Sequence, residues 1–175
     1  MGDRGIKEIF SQTVSKDKWA KIGMRKRAGV LVPLFSVYSK DSLGIGELGD
    51  LDLLVDWCVK TGNSVIQLLP LNETGMFCPY DSESSFALES VYLSLSLLPA
   101  AKKKKFSDRL YGLRKKFPSG QSPVDYGIKK EKLDILWEMF LEEDLDEQQE
   151  FFAYRKKNAY WLEDFALFKV LKVCH

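Results

Sequence analysis

The sequence predicts an α/β protein: the front of a parallel sheet, continued by a helical arm. Two short apolar runs, GVLVPLF (29–35) and SVIQLLPL (64–71), read as buried strands. Between them the apolar residues recur at three- and four-residue steps, as on one face of a helix. From Lys102 onward the pattern is helical throughout. Strand, helix and strand within about forty residues make a βαβ unit, with parallel strands and a right-handed crossover.

Taken in order, residues 1–27 are polar and basic, with weak helical periodicity around Ile6, Ile9 and Phe10. The first strand follows, and the loop SVYSKDSLGIGE leaves it. Asp50 is a good N-cap for a helix whose inner stripe is Leu51, Leu54, Val55 and Cys58, and Gly62-Asn63 is a good stop. The second strand runs into a polar loop from Asn72 to Cys78-Pro79-Tyr80. DSESSFALESVYLSLSLL has mixed periodicity and predicts a short helix, then an extended piece. Three helical stripes come next: Phe106, Leu110 and Leu113; Leu133, Leu136 and Phe140; and Trp161, Phe165, Phe168 and Leu171. Aromatic residues at such spacing are expected to be core. The turn FPSGQSP (117–123) separates the first two stripes. A two-stranded parallel sheet has two open edges, so either strands come from elsewhere or the chain is the front portion of a larger barrel.

Composition narrows the function. A hydrophobic fraction of 45% and an aromatic fraction of 13% belong to a packed globular protein. A net charge of +1 gives no overall field for nucleic acid or membrane. No signal peptide is visible, Ile6 stands where a myristoylation motif wants Ser or Thr, and no run reaches the length of a membrane span. Cys58, Cys78 and Cys174 are odd in number and lack a CxxC pairing, which fits a reducing cytoplasm. His175 is the only histidine, which argues against a Ser-His-Asp triad or a His-based zinc site. Any chemistry falls to carboxylates, Tyr, Lys or a cofactor.

Several short motifs invite a function and are better explained without one. GIGELG (44–49) matches GxGxxG, but eight residues separate Phe35 from Gly44, and Glu47 and Asp50 would repel a pyrophosphate. It reads as a Gly-rich turn that packs closely before a helix. KKKK (102–105), with its interleaved aromatics, sorts charge and ring onto opposite faces, as a solvated surface helix does. EEDLDEQQE (142–150) lacks the alternating ligands and glycine of a calcium loop, and reads as a solvated connection.

The loops after the strands remain. In parallel α/β structures ligands bind beyond the carboxyl ends of the strands, where residues 36–47 and 72–87 both lie. The second loop offers Asn72, Thr74, Ser82 and Ser84 as hydrogen-bonding side chains and Tyr80 as a rigid platform, with Pro79 fixing the backbone before it. Polar groups around an aromatic face suit a sugar; an ordinary surface loop with a half-buried tyrosine is the other reading.

RAGVLVPLFS, SLGIGELGDLDLLVDW, GNSVIQLLPLNETG and CPYDSESSFAL, in that order, closely resemble the opening of the 4-α-glucanotransferases, or amylomaltases. That family's pattern runs R-x-G-(apolar)-P-x-S, G-I-G-D-x-G-D, W-Q-x-L-P-L-x-P-T-G and S-P-Y-x-S-x-S-A-F-A-x-N-P. WLEDFALFKVLK resembles the family's helical insertion. The match is good over residues 27–98 and looser over 124–172.

The resemblance implies the N-terminal part of a (β/α)8 TIM barrel, its first two βα units in residues 28–98, after an N-terminal segment (1–27) and before a mostly helical insertion (99–175). It implies a cytoplasmic enzyme acting on 1,4-α-glucans or maltooligosaccharides with retention, with no cofactor, metal, nucleic acid or membrane partner. The family's Asp nucleophile, Glu acid/base and second Asp lie on later strands, so no catalytic acid is assigned here and the chain alone is expected to be inactive. A non-catalytic glucan-binding remnant is the alternative. Tyr80 matches the tyrosine that packs against the sugar beside the scissile bond, and Cys78, in place of Ser, is its companion in substrate binding. Glu47 for Asp, Ile66 for Trp, and Glu89-Ser90 for Asn-Pro are further departures.

Overall fold

The computed structural model describes residues 3–23, 25–75, 78–143 and 149–174. Two short helices, α1 (Asp3–Ser11) and α2 (Lys16–Ile22), precede strand β1 (Gly29–Val32). Helix α3 (Leu51–Lys60) crosses to β2 (Val65–Leu68), and the two strands pair in parallel, Gly29 opposite Val65 and Val32 opposite Leu68. The predicted βαβ unit is present. Helix α3 ends as its sequence suggested: Gly62 takes φ 75°, Asn63 N–H donates to the Cys58 carbonyl (2.8 Å) and Gly62 N–H to that of Val59 (3.2 Å). Those bonds close a Schellman motif and satisfy carbonyls the helix leaves open.

The strands are less covered than their composition implied. No residue of either is fully buried, and Leu31 and Val65 are 59% and 43% exposed. A parallel sheet this narrow has open edges and only partial cover. Helix α3 buries Cys58, with Leu51 and Leu54 half-buried above it, while Val55 lies outside the inner face.

The core sits elsewhere, where the loop after β1 meets the helical arm. Leu34, Leu43 and Ile45 pack with Val91 and Leu95, with Phe106, Leu110 and Leu113 of α4 (Lys104–Lys116), and with Ile128, Ile135 and Met139 of α5 (Gly127–Leu141). Full burial of such a side chain contributes about 1.5–3 kcal/mol. The predicted stripe on α4 is correct. That on α5 is displaced: Leu133 is 40% exposed, and the buried face is Ile128, Lys132, Ile135 and Met139. The third stripe is no core in this chain. On α6 (Gln149–Cys174), Trp161 and Phe165 are half-buried, but Phe168 and Leu171 are 46% and 50% exposed. The segment read as a short helix and an extended piece is instead a loop closed by isolated bridges, then 3-10 turns at Ser90–Tyr92 and Leu95–Leu97.

The Gly-rich turn packs closely, as expected. A Cβ on Gly46 would collide with the carbonyl oxygens of Leu34 and Val37. Asp50 does not cap α3 with its side chain. Its carboxylate turns back, accepting from Ser42 Oγ (2.8 Å) and Glu47 N–H (2.8 Å) in a capping box with Glu47. Glu47 then pairs with Lys132 (2.6 Å), which also donates to the Val91 carbonyl (2.5 Å). Both side chains are buried. Burial holds the Glu47 carboxyl above its ordinary range and the Lys132 ammonium below its own, and the contact between them offsets part of each shift.

The lysine run is a solvated face, with Lys103 and Lys105 pairing with Glu142 across to α5 (2.9 Å each). Residues 144–148 of the acidic run lie outside the described residues.

Candidate functional site

Beyond β2 the chain forms a narrow antiparallel tongue. Asn72 bridges Leu88 and Thr74 bridges Ser82; Glu73 N–H donates to the Ala87 carbonyl, and Glu83 N–H to that of Glu73 (2.8 Å each). At its tip Asp81 N–H donates to the Cys78 carbonyl (3.1 Å), a turn that projects Tyr80 outward, 70% exposed.

Tyr80 forms one wall of a cleft of about 730 Å³. Phe35, Ser36 and Tyr38 come from the loop after β1; Leu69, Pro79 and Tyr80 follow β2. Gln121, Ser122, Pro123 and Tyr126 close the far side. The two loops expected on the carboxyl ends of the strands do share this face. The far wall was not expected, because it arrives from the turn between α4 and α5 through tertiary packing alone. Three tyrosine rings around serine and glutamine side chains can stack on apolar sugar faces and bond hydroxyls.

The other polar residues of the tongue are placed differently from the reading of the sequence. Thr74 Oγ1 donates to Glu89 (3.1 Å), and Ser84 Oγ accepts from the N–H groups of Phe86 (3.1 Å) and Ala87 (3.0 Å). These bonds shape the tongue from within. Asn72 and Thr74 line a second, smaller cavity of about 230 Å³, which shares Pro79 and Tyr126 with the cleft. Burial, then the neighbouring Tyr126 and Glu89, push the Tyr92 phenol in that cavity up to about 12, so it is a neutral donor near pH 7. Cys78 is exposed with a free thiol, two residues before Tyr80 and outside the residues lining the cleft.

No acid lines the Tyr80 cleft among the described residues. The acids of the tongue and its base are paired instead with lysines of α5 and α6. Glu73 meets Lys169 (2.8 Å) and Lys129 (3.4 Å), Glu89 meets Lys129 (2.8 Å), and Glu83 meets Lys169 (3.2 Å) and Lys172. Burial works to raise the Glu73 carboxyl, but Lys169 and Lys129 outweigh it and hold it below the usual carboxylate range. The bond from Lys172 does the same for Glu83. Among the described residues no group of three or more His, Cys, Asp or Glu side chains converges as a metal-ligand set would.

A family model described as 4-alpha-glucanotransferase matches residues 32–175, most of the chain. The chain belongs to that family. It is 38% identical over 168 residues to a 4-alpha-glucanotransferase of Chlamydia pneumoniae, covering 90% of this chain and 31% of that protein. It is 38% identical over 154 residues to 4-alpha-glucanotransferase DPE2 of Oryza sativa subsp. japonica (83% and 16%), and 34% identical over 139 residues to a 4-alpha-glucanotransferase of Thermus thermophilus (75% and 26%). This glucanotransferase-family chain spans about a third or less of the length of the curated relatives it matches. Glu73 and Glu89, which share Lys129, stand where the family pattern has Pro and Asn.

Proposed function

We propose that this protein serves 4-α-glucan transfer: a segment of a 1,4-α-glucan is held on an enzyme carboxylate and passed to the 4-OH of an acceptor sugar with retention. In this reading residues 28–98 open a (β/α)8 barrel, 99–175 are its helical insertion, and the setting is the cytoplasm. The observation that carries it is the cleft beyond the carboxyl ends of β1 and β2, with Tyr80 as its outer wall. Ligands of parallel α/β structures bind on that side. The Tyr80 ring stacks on the C–H face of a glucosyl unit, Cys78 flanks it, and Ser36, Gln121 and Ser122 bond its hydroxyls.

Retaining chemistry needs two carboxyl groups about 5–5.5 Å apart across the scissile bond. Because no acid lines the cleft among the described residues, its part is substrate holding, which also favours a second reading, glucan binding without catalysis. In either case the ligand is an α-linked glucan. Calorimetric titration with maltoheptaose and, separately, cellohexaose tests this. Saturable binding of the α-linked chain alone is expected; equal binding of both, or of neither, overturns the assignment.

A further inference from the structure

The tongue that carries Tyr80 is held by a cluster of ion pairs beside one aromatic contact. Glu73 lies between the two bridges of the tongue, 7% exposed, and its carboxylate meets ammonium groups from two different helices: Lys129 of α5 and Lys169 of α6. Glu83, on the returning strand of the tongue, meets Lys169 and Lys172 one turn apart on α6. Lys129 also holds Glu89 at the base and donates to the Thr74 carbonyl (3.4 Å). Alongside, Phe86 stacks on Trp161 of α6, ring centroids 5.5 Å apart. Besides the backbone bond from Glu89 N–H to the Leu71 carbonyl and the Phe86 ring contact, the tongue is anchored by where α5 and α6 present their lysines.

We infer that Glu73, bonded to Lys169, is a positioning residue for Tyr80, and that α6 acts through it as a latch on the substrate loop. This rests on the glucan reading for its purpose, though not for its test. An ion pair with one buried partner keeps a defined geometry that an exposed pair does not. Removing the Glu73 charge unties the middle of the tongue from α5 and α6 together, while Glu83 keeps Lys169 and Lys172 and Glu89 keeps Lys129. Removing the Lys169 charge leaves Glu73 on Lys129 and Glu83 on Lys172. Rate in a site of this kind depends on placement to about 1 Å, so a loosened platform weakens turnover without losing a single contact to substrate.

Cys78 provides the readout. It is exposed beside Tyr80, whereas Cys58 is 4% exposed, so with Cys174→Ser a fluorophore attaches beside Tyr80. Fluorescence anisotropy of that label is expected to fall in Glu73→Gln and in Lys169→Gln. The double variant should fall by less than the sum of the two single effects, since both remove the Glu73–Lys169 contact while each also loses one of its own, to Lys129 or to Glu83. Far-UV circular dichroism and melting temperature report whether the helices remain, and Phe168→Ala, on the exposed side of α6, serves as the folded control. Unchanged anisotropy in both charge variants, or effects that simply add, would overturn the latch. Maltoheptaose titration of the unlabelled wild-type chain, with Cys78 free, reads the glucan assignment separately: a tongue that responds to these charges in a chain that binds no maltoheptaose contradicts the proposed function and leaves the latch standing.

Discussion

Tyr80 and Glu73 lie in one tongue, and the roles proposed for them predict different behaviour on substitution. If the Tyr80 ring is a sugar platform, Tyr80→Phe keeps the stacking surface and should change maltoheptaose affinity less than about twofold. Tyr80→Ala removes a stacking contribution near 1.4 kcal/mol and should weaken it about tenfold. The ring is 70% exposed, so the melting temperature should move little in either variant; a large drop with unchanged affinity would make Tyr80 a packing residue. Glu73 instead predicts a pH dependence. Its folded-state carboxyl is depressed by Lys169 and Lys129 against the opposing effect of burial. The stabilisation is therefore present above the unfolded value of about 4.3 and is lost as pH falls through the folded value. Between pH 7 and 3 the thermal stability of the wild type should fall more steeply than that of Glu73→Gln, and parallel curves would refute the pairing. The place of Tyr80 on the strand-end loop was legible because an apolar strand running into Pro-Tyr is a local signal, whereas its sugar-platform role came from the family resemblance. Glu73 was not legible, since its partners lie 56 and 96 residues away, and its only trace was an acid where the family pattern has Pro.

At the scale of elements, α5 departs furthest from its sequence pattern. Periodicity placed Leu133 and Phe140 inside, yet the helix turns Lys132 into the core to meet Glu47. A helical wheel ranks residues by apolarity and cannot foresee a buried cation whose counter-ion comes from a turn 85 residues earlier. The pair fastens the Gly-rich turn to the arm. Lys132→Met should cost about 3–5 kcal/mol in chemical denaturation by stranding the Glu47 carboxylate. Adding Glu47→Gln should recover part of that loss; no recovery would mean that Lys132 acts by packing alone. Helices α3 and α6 err the other way. Their stripes were read correctly as apolar, but Val55 on α3 and Phe168 and Leu171 on α6 remain exposed.

The molecule as a whole joins a well-packed helical core to a thinly covered sheet. Leu31, Leu53, Trp57, Val59 and Val65 leave α3 and the strands with exposed apolar surface. Exposed apolar side chains of this number together with open sheet edges favour association. Light scattering on the isolated 175-residue chain should give a mass that rises with concentration, and a concentration-independent monomer would count against the open sheet. The same chain should release no glucose from maltotriose above a boiled control, because no acid lines the Tyr80 cleft among the described residues. The βαβ unit and the strand-end face were legible from apolar runs and glycine stops. The far wall of the cleft, Gln121 to Tyr126, was not, since nothing local marks a turn as half of a site. The proposed binding of glucan in this cleft is tested most directly by intermolecular nuclear Overhauser measurements between ring-labelled tyrosines and maltoheptaose. Cross-peaks from the Tyr80 ring to the C–H protons of a glucosyl unit, absent in Tyr80→Ala, are expected; contacts only to a tyrosine outside the cleft, such as Tyr111, would contradict it.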